Sequence, residues 1–179
     1  MQTTLQEIKD KYPCSLGWIT LLKYLNKTRA DKKPLSFKTI LKSNGIEDAV
    51  WCLCVLDYKD VCLFTADVAE LVLPIFENYS SDTAPRNCIA AIRDYHANKI
   101  SLTQLRLDAY DAAAVNATGR ASFAARTAFA AANTTAFGDD NRGTYNTVIN
   151  AVSAIYANKL KWKKIEILFI KHFLQLNLE

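Results

Sequence analysis

Between Leu102 and Ala132, twelve of 31 residues are alanine, and no other feature of this 179-residue chain narrows its fold so far. Alanine has the highest intrinsic helix propensity. Ala109, Ala113, Ala117, Ala121 and Ala125 recur four apart, which places them on one helix face. A face of small side chains lets a second helix backbone approach closely, so the pattern predicts the tightly packed middle of a helical bundle. One straight helix over this stretch would exceed roughly 40 Å, long for a domain of this size. A break near Gly119 or a protruding helix is therefore expected.

The rest of the chain carries the same period. Glycine and proline are scarce, at five and four, and no long run alternates apolar with polar residues, which favours helices over sheets. Pro13 closes a first helical stretch, and Leu16, Ile19, Leu22 and Leu25 then form an apolar stripe. Residues 27–34 read as a polar surface loop. Ser36–Ser43 is predicted as a short helix that stops at Asn44-Gly45, with a second beginning at Ile46. Asp60–Tyr79 follows, with Pro74 predicting a kink or break. Pro85 opens the next helix, which turns Ile89, Ile92 and Tyr95 inward. Ser101 with Gln104 has the form of a capping box. Gly138–Gly143 reads as a turn, too short in ligands for a calcium loop. Helices over 144–158 and 162–176 complete the chain. The last is basic and amphipathic, and docking of its apolar stripe on the core is favoured over a membrane surface.

Charge and cysteine content limit function. The net charge of +4 is mild, but residues 1–34 carry seven Lys/Arg against three acids and residues 159–179 five against two, while the middle is slightly acidic. If the two ends meet they form one positive patch suited to an acidic partner or to phosphate; solvated helix faces are the plainer reading. Five cysteines, Cys14, Cys52, Cys54, Cys62 and Cys88, form no disulfide framework, because the number is odd and no CxxC occurs. They read as buried free thiols. The N-terminus lacks the apolar core of a signal peptide. The longest apolar run, Ala49–Leu56, is too short to span a bilayer. These features predict a cytoplasmic protein without a membrane partner.

Catalytic signatures do not emerge. There is no phosphate-binding loop, no nucleotide-binding glycine motif and no nucleophile elbow. His96 and His172 lie in separate helices with no motif around either. The charged residues that stand out are Asp67 and Glu70, three apart on one helix face, with Arg86 and Arg93 in the following helix. Two such carboxylates can serve acid–base work or a cation. With no third ligand or nucleophile in view, pairing with the two arginines is preferred, as structural ion pairs or as a partner-binding patch. No metal and no cofactor is expected. Trp18, Tyr24 and Trp162 lie among the basic ends and could stack on nucleic acid, although their apolar stripes favour core positions.

These residues also carry a resemblance. The stretch Ile40–Leu53, reading ILKSNGIEDAVWCL, is similar to one in a family of phage and bacterial proteins labelled putative immunity proteins. Leu63–Glu77, ending VLPIFE, fits the same pattern, as do Pro85-Arg86-Asn87 with Ile89 and Arg93, then Ile100-Ser101 and an alanine-rich helix. The resemblance runs over roughly residues 12–175. Cys54 stands where that pattern has an arginine, and the alanine repeat here is shorter and richer in Thr and Asn. The resemblance implies a helical protein of phage or bacterial origin.

The expected fold is all-α: a single-domain bundle of about seven to nine helices over 1–179 with an alanine-rich central helix, or residues 1–34 as a helical pair packed on 35–179. The expected function is that of a non-enzymatic binding protein that blocks a bacterial or phage protein, of immunity or counter-defence type. A homo-oligomer built on the alanine stripe would fit this reading. The alternative is a nucleic-acid-binding accessory protein that uses its basic termini.

Overall fold

A computed structural model describes residues 1–137, 143–154 and 160–174. Ten α-helices are present among them: α1 (Leu5–Asp10), α2 (Ser15–Tyr24), α3 (Phe37–Asn44), α4 (Ile46–Trp51), α5 (Tyr58–Glu77), α6 (Ala84–His96), α7 (Leu102–Ala113), α8 (Gly119–Phe137), α9 (Gly143–Ala154) and α10 (Leu160–Phe169). A 3-10 turn, Cys52–Val55, extends α4, and a π-helical segment, Ile170–Leu174, extends α10. The only strands in the described residues are β1 (Gln2–Thr4) and β2 (Pro34–Ser36), antiparallel with Thr3 opposite Leu35. The fold is all-α in substance, and α1 and α4 each amount to little more than a turn.

Helices α5 and α8 form the centre, and each serves two buried clusters. On α5, Val61, Phe64, Val68, Val72 and Phe76 face the first cluster, while Cys62, Ala66, Ala69 and Leu73 face the second. The first holds the N-terminal elements, α9 and α10; the second holds α6 and α7. Helix α8 follows suit: Ala121, Ala124 and Ala125 enter the first cluster, and Ala128, Ala131, Ala132 and Ala136 the second. Alanines facing Ala66 and Ala69 leave only methyl groups between the backbones, and the Cys88 thiol of α6 donates to the Ala128 carbonyl at 3.4 Å. Three threonines inside α8 satisfy their hydroxyls locally. Thr127, Thr134 and Thr135 donate to the carbonyls of Phe123, Ala130 and Ala131, which is how a hydroxyl is buried without a distant partner. At Gly143 an added methyl would collide with Thr134, so α9 also lies hard against α8.

The expected break in the alanine segment falls at 114–118, between α7 and α8, with Gly119 at φ 55°. It divides the stripe. Ala109, Ala121 and Ala125 are buried, whereas Ala113 is exposed and Ala117 only partly covered. Most of the stripe is thus consumed inside the chain, and it offers no continuous face to a second copy.

Other expectations are corrected in detail. Pro74 does not break α5, which runs on to Glu77; Pro74 itself is exposed. The strand pair was not legible, since two three-residue strands are too short for a period. Leu16 and Ile19, expected on an inward stripe, are 78% and 47% exposed. Cys14 is exposed, while the other four thiols are buried. Of the turn expected over Gly138–Gly143, residues 138–142 lie outside the described residues, as do 155–159 and 175–179 with the ends of the last two predicted helices.

The C-terminal stripe docks on the core as expected. Ile165, Phe169 and Phe173 are fully buried, and Phe37, Phe64, Phe169 and Phe173 form edge and tilted ring pairs with centroids 5.2 to 6.4 Å apart, a favoured aromatic geometry. The N-terminus reaches the C-terminal segment: the Met1 ammonium donates to the Phe173 carbonyl at 3.0 Å. Among the described residues no helix is long and apolar enough to cross a membrane.

If methyl-sized contacts set the α5–α8 spacing, a larger side chain there has no room. Ala131→Leu should cost about 1–3 kcal/mol, read as a lower urea midpoint with an unchanged slope.

Candidate functional site

The four charged residues singled out in the sequence divide into two sites. Asp67 and Glu70 lie one turn apart on α5, and Arg93 of α6 reaches both, at 2.8 Å to Asp67 Oδ1 and 2.6 Å to Glu70 Oε2. Arg86 does not join them. It pairs with Glu77, near the C-terminal end of α5, because α6 runs back along α5 and places its first turn there. Asp67 also takes two partners that the sequence did not suggest: Lys171 Nζ at 3.2 Å and His172 Nε2 at 2.9 Å, both on Oδ2. Their separation of more than 100 residues from Asp67 left no local signal. Only docking of the C-terminal segment through Phe169 and Phe173 brings them there.

This arrangement holds charge in place. The His172 hydrogen bond, helped by Arg93 and Lys171 and opposed by partial burial, keeps the Asp67 carboxyl well below the usual carboxylate range. The imidazole packs edge-on against Phe64 with centroids 5.8 Å apart. Among the described residues, no group of three or more His, Cys, Asp or Glu side chains is arranged to hold a metal ion.

A second site was missed altogether. A cleft of about 540 Å³ opens where α1 and α2 meet α3, α4 and α9. Its floor is apolar, from Ile8, Leu21 and Ile40, and Tyr12, Trp18, Trp51 and Tyr145 present rings to it. Tyr12 is 90% exposed and adopts φ 56°, the left-handed conformation that turns the chain from α1 into Pro13. Glu47 and Asp48 add two carboxylates.

Asn44 organises the acidic side. Its Nδ2 donates to the Gly17 carbonyl and to Asp48 Oδ2, both at 2.8 Å, while its Oδ1 accepts from Ser43 at 2.6 Å. One amide thus ties the end of α3 to α2 and to α4. Gly17 is required by this closeness: a methyl there would lie 2.7 Å from Asp48 Oδ2 and 3.1 Å from Cys14 Sγ. Across the cleft, the Tyr145 hydroxyl donates to Glu47 Oε1 at 3.0 Å. The ILKSNGIED segment did signal a helix junction, but nothing local told that its polar residues would face Trp18 and Tyr145.

Thiol chemistry is not favoured at this site. Burial pushes the Cys52 thiol strongly upward, with smaller contributions from Cys54 and Asp48, and a protonated thiol is a poor nucleophile. Cys14, at the rim, is engaged as the cap of α2, its sulfur accepting from the Gly17 amide at 3.3 Å.

Two measurements test these sites. Asp67→Asn should lower stability at pH 7 by about 1–2 kcal/mol, a discounted value for a charged hydrogen-bonded group at the surface. Because the folded carboxyl lies below its unfolded value of ~3.9, its stabilisation is complete above that pH. It is lost as pH falls below about 4 and through the folded value. Urea midpoints between pH 6 and 2 should therefore fall more steeply for the native chain than for Asp67→Asn. At the cleft, burial and then the Glu47 hydrogen bond push the Tyr145 phenol up to about 12. Carbon-13 ring resonances should show Tyr145 still protonated at pH 11, and Glu47→Gln should move it back toward the ordinary value near ~10.

Residues 55–166 match the model of a family described as Imm-5 like putative immunity protein. The matched segment spans α5 to α9 and most of α10, and so contains both central helices and the Asp67–Arg93 pair. The Ile40–Leu53 stretch that first carried the resemblance precedes it. No curated protein and no solved structure matches the chain.

Proposed function

Because the chain belongs to this Imm-5 like family, we propose that it is a non-enzymatic, bacteria- or phage-encoded protein that blocks a partner protein by occupying its surface in the host cytoplasm. The observation that supports a protein partner is the outer face of α2. Helix α2 is apolar nearly all round, with Leu16, Trp18, Ile19, Leu21, Leu22 and Tyr24 in ten residues, yet only Leu21 is buried. A helix of that composition is ordinarily enclosed. Here Trp18, Leu21 and Leu22 rest on the core, while Leu16, Ile19 and Tyr24 are exposed, as is Tyr12 just before the helix. Clustered exposed apolar side chains of this kind mark interaction surfaces, and tyrosine is enriched at the anchors of interfaces.

The Asp67, Glu70, Arg93 and Arg86 pairs belong, on this reading, to the scaffold that holds the face in place. Their charges are already met from within the chain, so a partner would gain little from them.

The test is capture from lysate of the host, before and after phage infection, with native protein and with a Leu16→Glu/Ile19→Glu variant. Both positions are exposed, so the variant's helical circular dichroism should be unchanged. One stoichiometric protein should remain on the native chain after a high-salt wash and be lost from the variant, and the native chain should inhibit that protein's activity. Retention of nucleic acid alone, released as salt rises, overturns the reading in favour of a nucleic-acid accessory role for the basic termini.

A further inference from the structure

We infer that the aromatic cleft between α2, α4 and α9 receives the guanidinium of an arginine presented by the partner protein; this rests on the binding reading above and names its anchor. The chain carries a net charge of +4, yet the two carboxylates at this cleft, Glu47 and Asp48, have no cationic partner among the described residues. Each is held by a neutral donor: Glu47 by the Tyr145 hydroxyl and Asp48 by the Asn44 amide. Those bonds fix the direction of the carboxylates without neutralising them. A carboxylate has room for about four hydrogen bonds, so each retains acceptor capacity toward an incoming cation.

The walls select the kind of cation. Trp18, Trp51 and Tyr12 line the cleft together with the acids, and a cation over an aromatic face gains further electrostatic attraction when water is excluded. Two separate carboxylates and flat aromatic walls suit a planar, forked donor that stacks, which is arginine rather than the compact ammonium of lysine. The apolar floor of Ile8, Leu21 and Ile40 would cover the methylene stem. The cleft's volume of about 540 Å³ is ample for one extended side chain and part of its neighbours. Position supports a protein source for the arginine. Tyr12 lines the cleft and is exposed, and the exposed Leu16 follows four residues on in the first turn of α2, so a partner covering Leu16 would bring its own residues toward the mouth.

The experiment follows the indole N–H signals of Trp18 and Trp51 by NMR, with Trp162, which does not line the cleft, as the control, during titration with N-acetyl-arginine amide. The neutral citrulline analogue and the lysine analogue are titrated alongside. Saturable shifts confined to Trp18 and Trp51 are expected with arginine. They should be at least tenfold weaker with citrulline and abolished in Glu47→Gln/Asp48→Asn, which keeps acceptors for Tyr145 and Asn44 and so keeps the fold. Equal binding of citrulline, tighter binding of lysine, or shifts that survive the double variant would overturn the inference. Failure is separable from failure of the binding reading. A captured partner that holds the double variant as tightly as the native chain sinks the arginine anchor alone. If no protein is captured at all, the binding reading falls, and the probe titration still decides whether the cleft takes a guanidinium.

Discussion

The fold depends on the contact between α5 and α8, where small side chains let two backbones come together. An alanine contributes little apolar area when buried. The stabilisation of such a seam comes instead from the number of close atom pairs, including backbone atoms, that the short side chains permit. Ala66 and Ala69 on α5 and Ala128, Ala131 and Ala132 on α8 make that seam. The opposite face of α5 is then free to carry large residues, Phe64 and Phe76 among them, into the other cluster. One helix thus organises both halves of the core: α6, α9 and α10 pack against it, and α7 packs on α6 and α8.

The N-terminal elements attach to this centre by a few specific ties. The short β1–β2 pair and the bond from the Gln6 amide to the Asp31 carbonyl close the 27–33 loop. Phe37 enters the phenylalanine cluster with Phe169 and Phe173, and the Met1 ammonium reaches the Phe173 carbonyl. Asn44 then fixes α2 and α4 relative to each other. Such ties hold the position of α2 without covering it. That is why a helix with apolar residues on every side can keep half of them in solvent, and why an open cleft persists at its edge.

The helical class, the positions of most helices, the alanine break and the docking of the C-terminal stripe were legible because each rests on local periodicity. What escaped depends on contacts between distant segments. The Leu16–Ile19 stripe has the period of a buried face, and period alone does not say whether a neighbour arrives to cover it. Asp67 and Glu70 stood out by spacing, but Glu77 as the partner of Arg86, and Lys171 and His172 as partners of Asp67, follow from how α6 and the C-terminal segment lie on α5. The cleft draws on five helices, and its acids looked like an ordinary helix start.

The His172–Asp67 pair is where chemistry would be sought first, since a carboxylate orienting an imidazole is a familiar catalytic element. Its surroundings argue for a different use. In such an element the carboxylate stays ionised to orient the imidazole alone; here Asp67 is held ionised by His172, Arg93 and Lys171 together, so its charge is shared with two further cations. Both Asp67 oxygens are engaged, and the residue that first donates to them is itself packed on Phe64. Charge here is locked between α5, α6 and the C-terminal segment. At the cleft the balance is reversed: two carboxylates are steered by neutral donors, flanked by aromatic residues and met by no cation among the described residues. The ion cluster therefore spends its charge on joining helices, and the cleft leaves its charge available to another molecule.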